Sequence, residues 1–287
     1  MRREPLRAFL LLTPALLVLG GLFLGSFAPA LLQSLGHFPA VGMTGYTLGY
    51  YRELFGDPEF LGSLLFSLRI SCISSALAVV LGTFLGFLLF SKRKKEGVQR
   101  FLALLPIAVP HTVAALLVLQ LLSRTGMLGR FLFSLGILAS PAEMGSFVFD
   151  PSGVGVIVAY LWKGLPFAAV VVAVVLRTLD PRLCEAALVL GASRIQVFWH
   201  VLLPLLFPTL SSTFVLLFGF SFGAFEVPFL LGPTFPQALP VAAYRAYLNP
   251  DMASRPYAMV YVVVITAMVL GLVFLYGFLA RRGERFS

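Results

Sequence analysis

Glu185-Ala186-Ala187-Leu188-Val189-Leu190-Gly191, followed after nine residues by Val201-Leu202-Leu203-Pro204, is the stretch on which the reading of this chain turns. It is polar, carries Arg182, Glu185, Arg194 and His200 in and beside it, and lies between two long apolar runs. Such a segment sits in water while its flanks sit in lipid. Its residues also specify its shape. The preceding helix should stop at Leu179, because Asp180 suits an N-cap, Pro181 suits the first helical position, and a residue before proline avoids the helical region. Leu183, Ala187 and Leu190 fall on one side of the next helix, with Arg182 and Glu185 on another. Gly191 is placed to end that helix, and Ser193-Arg194-Ile195-Gln196 fits a capping box that starts a second one. Val197, Phe198 and Val201 follow one stripe of that second helix, and Pro204 and Pro208 mark the return to the membrane. The expected form is helix, glycine turn, helix.

The rest of the chain explains why the flanks are apolar. Of 287 residues, 59% are hydrophobic and only 11% charged, with a mean hydropathy of +0.96. A soluble domain carries roughly 25% charged residues, so water is not the main solvent here. A helix crosses the hydrocarbon with about 20 mostly apolar residues. Six stretches meet that length: about 8–32, 60–90, 99–122, 154–178, 206–231 and 257–280. The fold class is therefore an all-α polytopic membrane protein. The net charge of +9 does not indicate nucleic acid, which needs basic residues gathered on one folded face. Here they cluster at the ends of apolar runs. Arg2, Arg3, Arg7, Lys92 to Lys95, Arg100, Arg177, Arg182, Arg194, Arg281, Arg282 and Arg285 fall on one side, making 14 of the 21 basic residues. Positive charge marks the cytoplasmic face, so both termini and the 180–204 loop are expected inside.

The first span has a rival reading as a cleaved signal peptide, since Ala28-Pro29-Ala30 follows a basic start; its long apolar run favours retention. The outer loops, 33–59, 123–153 and 232–256, lack the bulk of a separate domain. Within the first, residues 50–55 (Tyr-Tyr-Arg-Glu-Leu-Phe) suit a short interfacial helix. Cys72 and Cys184 offer neither a disulfide nor metal-ligand spacing.

Ionisable groups inside spans are costly and become functional candidates. Lys163, beside Trp162 in the fourth span, lies near mid-membrane, and Glu226 lies nearer the outer end of the fifth. Prolines at 166 and 228 follow them closely and free backbone carbonyls. Two readings stand: these residues line a solute path, or they form a structural pair with Lys163 snorkelling. His111, between Pro110 and Thr112, is either a ligand or a structural hydrogen-bonding group. Arg69 in the second span is expected to snorkel or pair. Ser63, Ser67, Ser71, Ser75, Ala78, Gly82 and Gly86 make one face of small residues along that span, read as a close helix contact in preference to a water-lined path. Gly219 and Gly223 give a shorter example.

The spacing of Glu185-Ala186-Ala187, three residues, Gly191, nine residues and Val201-Leu202-Leu203-Pro204 resembles the EAA loop of permease subunits in binding-protein-dependent ABC importers of type I, with Val201 in place of isoleucine. Residues 105–111, 162–167 and 222–232 are also similar to this family, the last most like its branch for polyamines, iron and thiamine. The resemblance spans about residues 60–277. It implies an ABC importer transmembrane domain over 60–280 with a coupling loop at 180–204. Residues 1–59 form an additional helix and outer loop, and 281–287 a cytoplasmic tail. It further implies that Glu185, Ala186, Ala187, Gly191, Ala192, Ser193 and Pro204 couple the chain to an ATPase. Trp162, Lys163, Glu226 and His111 are the candidate path residues.

The partners so implied are two ATP-binding cassette subunits, a second permease chain, an external solute-binding protein and membrane lipid. The expected location is a bacterial-type cell membrane, and the favoured solute is polyamine-like, since Glu226 suits a cation. No P-loop of the form GxxxxGK[S/T] occurs, so ATP and its Mg are expected on the partner; this chain is expected to bind no cofactor and to be no enzyme itself. The alternative is a self-contained secondary transporter or channel, which would ordinarily show inverted repeats and buried acidic relays.

Overall fold

A computed structural model describes residues 3–91 and 97–283. Arg2, Lys92 to Lys95 and Arg285, which contribute to the expected orientation, lie outside them, as do residues 284–287 of the expected tail. The described chain is helical: α1 (Arg3–Ser34), α2 (Gly49–Gly56), α3 (Pro58–Ser91), α4 (Gly97–Ala108), α5 (His111–Leu122), α6 (Met127–Ser134), α7 (Val154–Thr178), α8 (Pro181–Val189), α9 (Arg194–Val197), α10 (Leu203–Gly223), α11 (Glu226–Leu231), α12 (Leu239–Tyr247) and α13 (Arg255–Gly283). Among the described residues six stretches are long and apolar enough to cross a membrane: Leu11–Ser34, Pro58–Leu88, His111–Ser134, Val154–Thr178, Arg194–Gly223 and Met252–Ala280. The six-span, all-α expectation holds, and α2 supplies the short helix expected at 50–55.

Two spans differ from their sequence boundaries, each because of a proline. The stretch 99–122 is two helices, α4 and α5, meeting at Val109-Pro110, and the apolar stretch that can cross continues to Ser134. Pro110 caps α5 with φ −58° and ψ 149°, an extended conformation that no helix can pass through. The stretch 206–231 breaks at Ala224-Phe225 into α10 and α11. A proline ring clashes with the carbonyl four residues earlier, which for Pro228 is that of Ala224. Ala224 is accordingly extended, with ψ 134°, while Pro228 sits in the first turn of α11, where its missing N–H costs nothing.

The chain divides into two compact units, one of Met1–Leu61 with Ala242–Ala267, the other of Gly62–Val241 with Met268–Ser287. In the first unit only 6% of the α1 span is buried. The unit is tied by its polar aromatics: Tyr51 and Ser34 share a hydrogen bond of 2.7 Å, Tyr257 donates to Glu53, and Tyr50 meets Tyr257 edge-on at 5.0 Å. In the second unit the 78–86 part of the small face of α3 packs on α7, while Ser67 accepts from the Leu239 N–H at 2.7 Å. Ser63, Ser67, Ser71, Ser75 and Ala78 are buried. A Cβ on Gly82 would come within 2.5 Å of the Ala168 Cβ, and one on Gly86 within 2.9 Å of the Ala169 carbonyl oxygen. At Gly82 and Gly86 the stripe is thus a close backbone contact, which lipid-embedded helices achieve with small residues. Gly219 approaches Val269, whereas Gly223 faces open space. Arg69 donates to the Pro151 carbonyl and lies 5.6 Å from the Phe66 ring, which satisfies it locally.

Candidate functional site

The 180–204 loop folds as its residues specify. Asp180 caps α8 by accepting from the Arg182 N–H at 3.0 Å, with Pro181 in the first position. α8 ends in a Schellman turn: the Gly191 N–H donates to the Leu188 carbonyl at 3.0 Å and the Ala192 N–H to the Ala187 carbonyl at 3.0 Å. Gly191 carries φ +90°, which a side chain disfavours. Ser193 and Gln196 close the capping box reciprocally, at 3.3 and 2.8 Å. The second helix does not stop at the membrane. It runs through a π-helical turn, Phe198–Leu202, into α10, with Pro204 exposed in the first turn of α10.

This loop presents apolar surface outward. Val189 and Leu190 are 87% and 88% exposed and Ile195 is 71% exposed, with Glu185 and Ala186 also exposed. Beside them lies a shallow groove lined by Ala187, Leu190, Gly191, Ala192, Gln196, Val197, His200 and Val201. Of the residues expected on one side of α8, Leu183 and Leu190 are exposed and Ala187 is half-buried, while Val197 of the second helix is buried. Clustered exposed apolar side chains rimmed by polar ones mark an interaction site. No Cβ on Gly191 would meet another atom within 4 Å, so the space in front of it is free.

A second site lies between the break of the third span, α7 and α10. The carbonyl of Pro106 would ordinarily receive the N–H of residue 110, which is a proline and has none. The Lys163 ammonium fills that place. It donates to the carbonyls of Pro106 at 2.6 Å and Ile107 at 3.3 Å, and to that of Val109. These bonds use all three of its donors. Lys163 and His111 line a pocket of about 300 Å³ together with Tyr160, Phe167, Phe220 and Ser221. His111 packs on Phe220, with ring centroids 4.9 Å apart. The Tyr160 hydroxyl is buried and has no hydrogen-bond partner among the described residues.

The structure thus brings together two of the four candidate path residues, Lys163 and His111. Trp162 is half-buried on α7 and outside the lining, and Glu226 is exposed at the head of α11, also outside it. Glu226 acts on His111 and Tyr160 only across space. Tyr160, Phe167 and Ser221 were missed, although residues 160, 163, 164 and 167 follow the i, i+3, i+4, i+7 spacing of one helix face. That face was the available signal. Gln196 and His200 in the loop groove were likewise not singled out as coupling residues.

Comparison with known proteins bears on both sites. The sequence profile of the family described as binding-protein-dependent transport system inner membrane component matches residues 78–285. The spermidine/putrescine transport system permease protein PotB of Escherichia coli (strain K12) is 31% identical over 188 residues, 65% of this chain and 66% of that protein. The molybdenum transport system permease protein ModB of Mycobacterium tuberculosis (strain ATCC 25618 / H37Rv) is 29% identical over 225 residues, 77% of this chain and 81% of its own length. A chain from the crystal structure of a bacterial ABC transporter that imports the acidic polysaccharide alginate shares the fold, with TM-score 0.73 at 22% identity, covering 97% of this chain and 98% of that one. With that profile covering most of its length, six apolar spans and a polar loop between the fourth and fifth, the chain belongs to the family of binding-protein-dependent transport system inner membrane components, the permease subunits of ABC importers.

Proposed function

We propose that this chain carries a small polar solute across the membrane by alternating access, driven by ATP hydrolysis on separate subunits that grip the 180–204 loop. One observation carries the coupling role: Val189, Leu190 and Ile195 stand exposed beside the groove at Gly191. A partner surface that buries them gains roughly 25 cal/mol per Å² of apolar area. Glu185, Ala186, Ala187, Gly191, Ala192, Ser193 and Pro204 form or flank that contact, and the small ones allow close approach. In this reading residues 60–280 are the transmembrane domain, with 1–59 an added helix and loop and 281–287 a tail. Both termini are cytoplasmic in a bacterial-type cell membrane. Two ATPase subunits, a second permease chain and an external solute-binding protein complete the assembly. ATP and Mg belong to the ATPase.

Purification of the tagged chain from its native membrane in mild detergent tests this. An ATPase should co-purify, and Gly191→Arg should lose it while still inserting. A solitary chain without ATPase activity in both preparations would overturn the proposal in favour of a self-contained transporter.

For the solute, the polyamine-like reading rests on Glu226 and on the likeness of residues 222–232 to the polyamine branch, and the similarity to PotB supports it. A second reading, an anionic solute, is favoured by a specific observation. Lys163 is in the pocket lining, and none of the ten lining residues is a carboxylate.

A further inference from the structure

We infer that the pocket bounded by the third-span break, α7 and α10 is a solute subsite for an oxyanionic group, a carboxylate or phosphate-type oxygen, held by the field of Lys163 and the hydroxyl of Tyr160. The inference rests on the reading of the chain as an importer subunit and chooses the anionic solute over the polyamine-like one.

The carbonyls of Pro106, Ile107 and Val109 satisfy the three hydrogens of the Lys163 ammonium but bring no counter-charge. The clamped ammonium then faces a pocket whose other walls include Phe167, Leu216 and Phe220. Low-dielectric walls concentrate such a field and draw in the opposite charge. Glu226, exposed at the head of α11, reaches the His111 and Tyr160 side of the pocket across space but is not in the lining, so no carboxylate of the lining meets the ammonium. Independently, Tyr160 lines the pocket at 4% exposure with its hydroxyl unpartnered among the described residues. A buried donor without an acceptor is costly, and an entering oxygen supplies the acceptor. The carbonyl clamp also fixes the ammonium in place, so the site is set before a solute arrives. A polycation would meet Lys163 as a like charge.

The test measures the potential of the pocket directly. In the full chain purified with whatever partners it retains, Cys72 and Cys184 are replaced by alanine and Ser221→Cys is introduced in the lining. Modification rates are compared for an anionic methanethiosulfonate (sulfonatoethyl) and a cationic one (trimethylammonioethyl), each normalised to its rate with a Tyr46→Cys variant in the outer loop. The anionic reagent should react about ten-fold faster in the pocket. Lys163→Gln, which keeps donors for the carbonyls but removes the charge, should abolish the preference, and Lys163→Arg should keep it.

Equal rates, a cationic preference, or no labelling by either reagent would overturn the inference. Protection of Ser221→Cys by millimolar inorganic phosphate or acetate in detergent supports a solute site, with Tyr160→Phe weakening that protection several-fold. Protection only on adding phosphatidylglycerol would assign the oxyanion to a lipid headgroup and overturn the solute assignment. The labelling reads the pocket whether or not an ATPase co-purifies, so its failure is separate from failure of the importer reading.

Discussion

Gly191 and Lys163 show how single residues carry the two sites. Gly191 holds φ +90° with nothing in front of it, so its two requirements separate. Gly191→Ala meets only the backbone cost of a left-handed conformation, about 1 kcal/mol. We expect it to leave the chain folded and to weaken ATPase capture modestly. Gly191→Arg adds a long cation in the groove and should reduce ATP-dependent uptake at least ten-fold while membrane insertion is unchanged, read by uptake in vesicles and by the amount of chain in the membrane. Lys163→Met strands three backbone carbonyls inside the membrane. Each unpaired buried acceptor costs roughly 1–3 kcal/mol, so thermal unfolding in detergent should fall by several degrees, with Lys163→Gln recovering part of the loss. Equal stability of the Met and Gln variants would show that the carbonyl clamp contributes nothing.

At the scale of elements, prolines and glycines decide where helices break and how near they lie. The α3–α7 contact makes a sharp comparison. Gly82→Ala drives a methyl to within 2.5 Å of the Ala168 Cβ and should destabilise the chain by about 1–3 kcal/mol through overpacking. Gly271→Ala, in α13 with nothing within 4 Å, should be neutral or stabilising, since alanine is the better helix former by about 1 kcal/mol. Their unfolding temperatures in one detergent test the close-contact account of the small face. The proline breaks have the opposite use. Pro110 opens the ladder whose carbonyls then hold Lys163, and Pro228 separates α11 from α10. Pro110→Ala restores an N–H for the Pro106 carbonyl and should loosen the Lys163 clamp, seen as faster reaction of Lys163 with an amine reagent.

For the whole molecule, the apolar surface has two destinations. That of the spans faces lipid, whereas Val189, Leu190 and Ile195 belong to a loop that water would otherwise cover. Replacing Leu190, 88% exposed, by aspartate should leave the unfolding temperature of the isolated chain unchanged and cut co-purification of the ATPase at least ten-fold. A surface substitution away from packed groups changes stability by only about 0.5 kcal/mol, so a large loss of stability would show that Leu190 packs within this chain and not on a partner.

Much of the helix inventory follows from the residues alone, because it depends on local physics. Twenty-residue apolar runs, Asp180 before Pro181, Gly191 after an amphipathic turn and the Ser193–Gln196 box each act within a few residues of themselves, and each appears in the structure where its chemistry puts it. The small face of α3 also reads directly, and the approach of Gly82 and Gly86 to α7 decides for close packing over a water-lined path there. Two span boundaries were misplaced because hydropathy is blind to proline's missing N–H and to the clash of its ring with the preceding turn, so apolar residues on both sides of Pro110 and Pro228 read as continuous.

The membrane pocket was least legible. Lys163 and His111 are 52 positions apart, and Phe220 and Ser221 come from a third helix; only tertiary packing brings them to one cavity. Sequence could mark Lys163 as costly in lipid, but whether a carboxylate, lipid headgroup or backbone carbonyl stabilises it depends on which helix end lies opposite. That neighbour is the broken third span, fixed by long-range packing and not by any residue near Lys163.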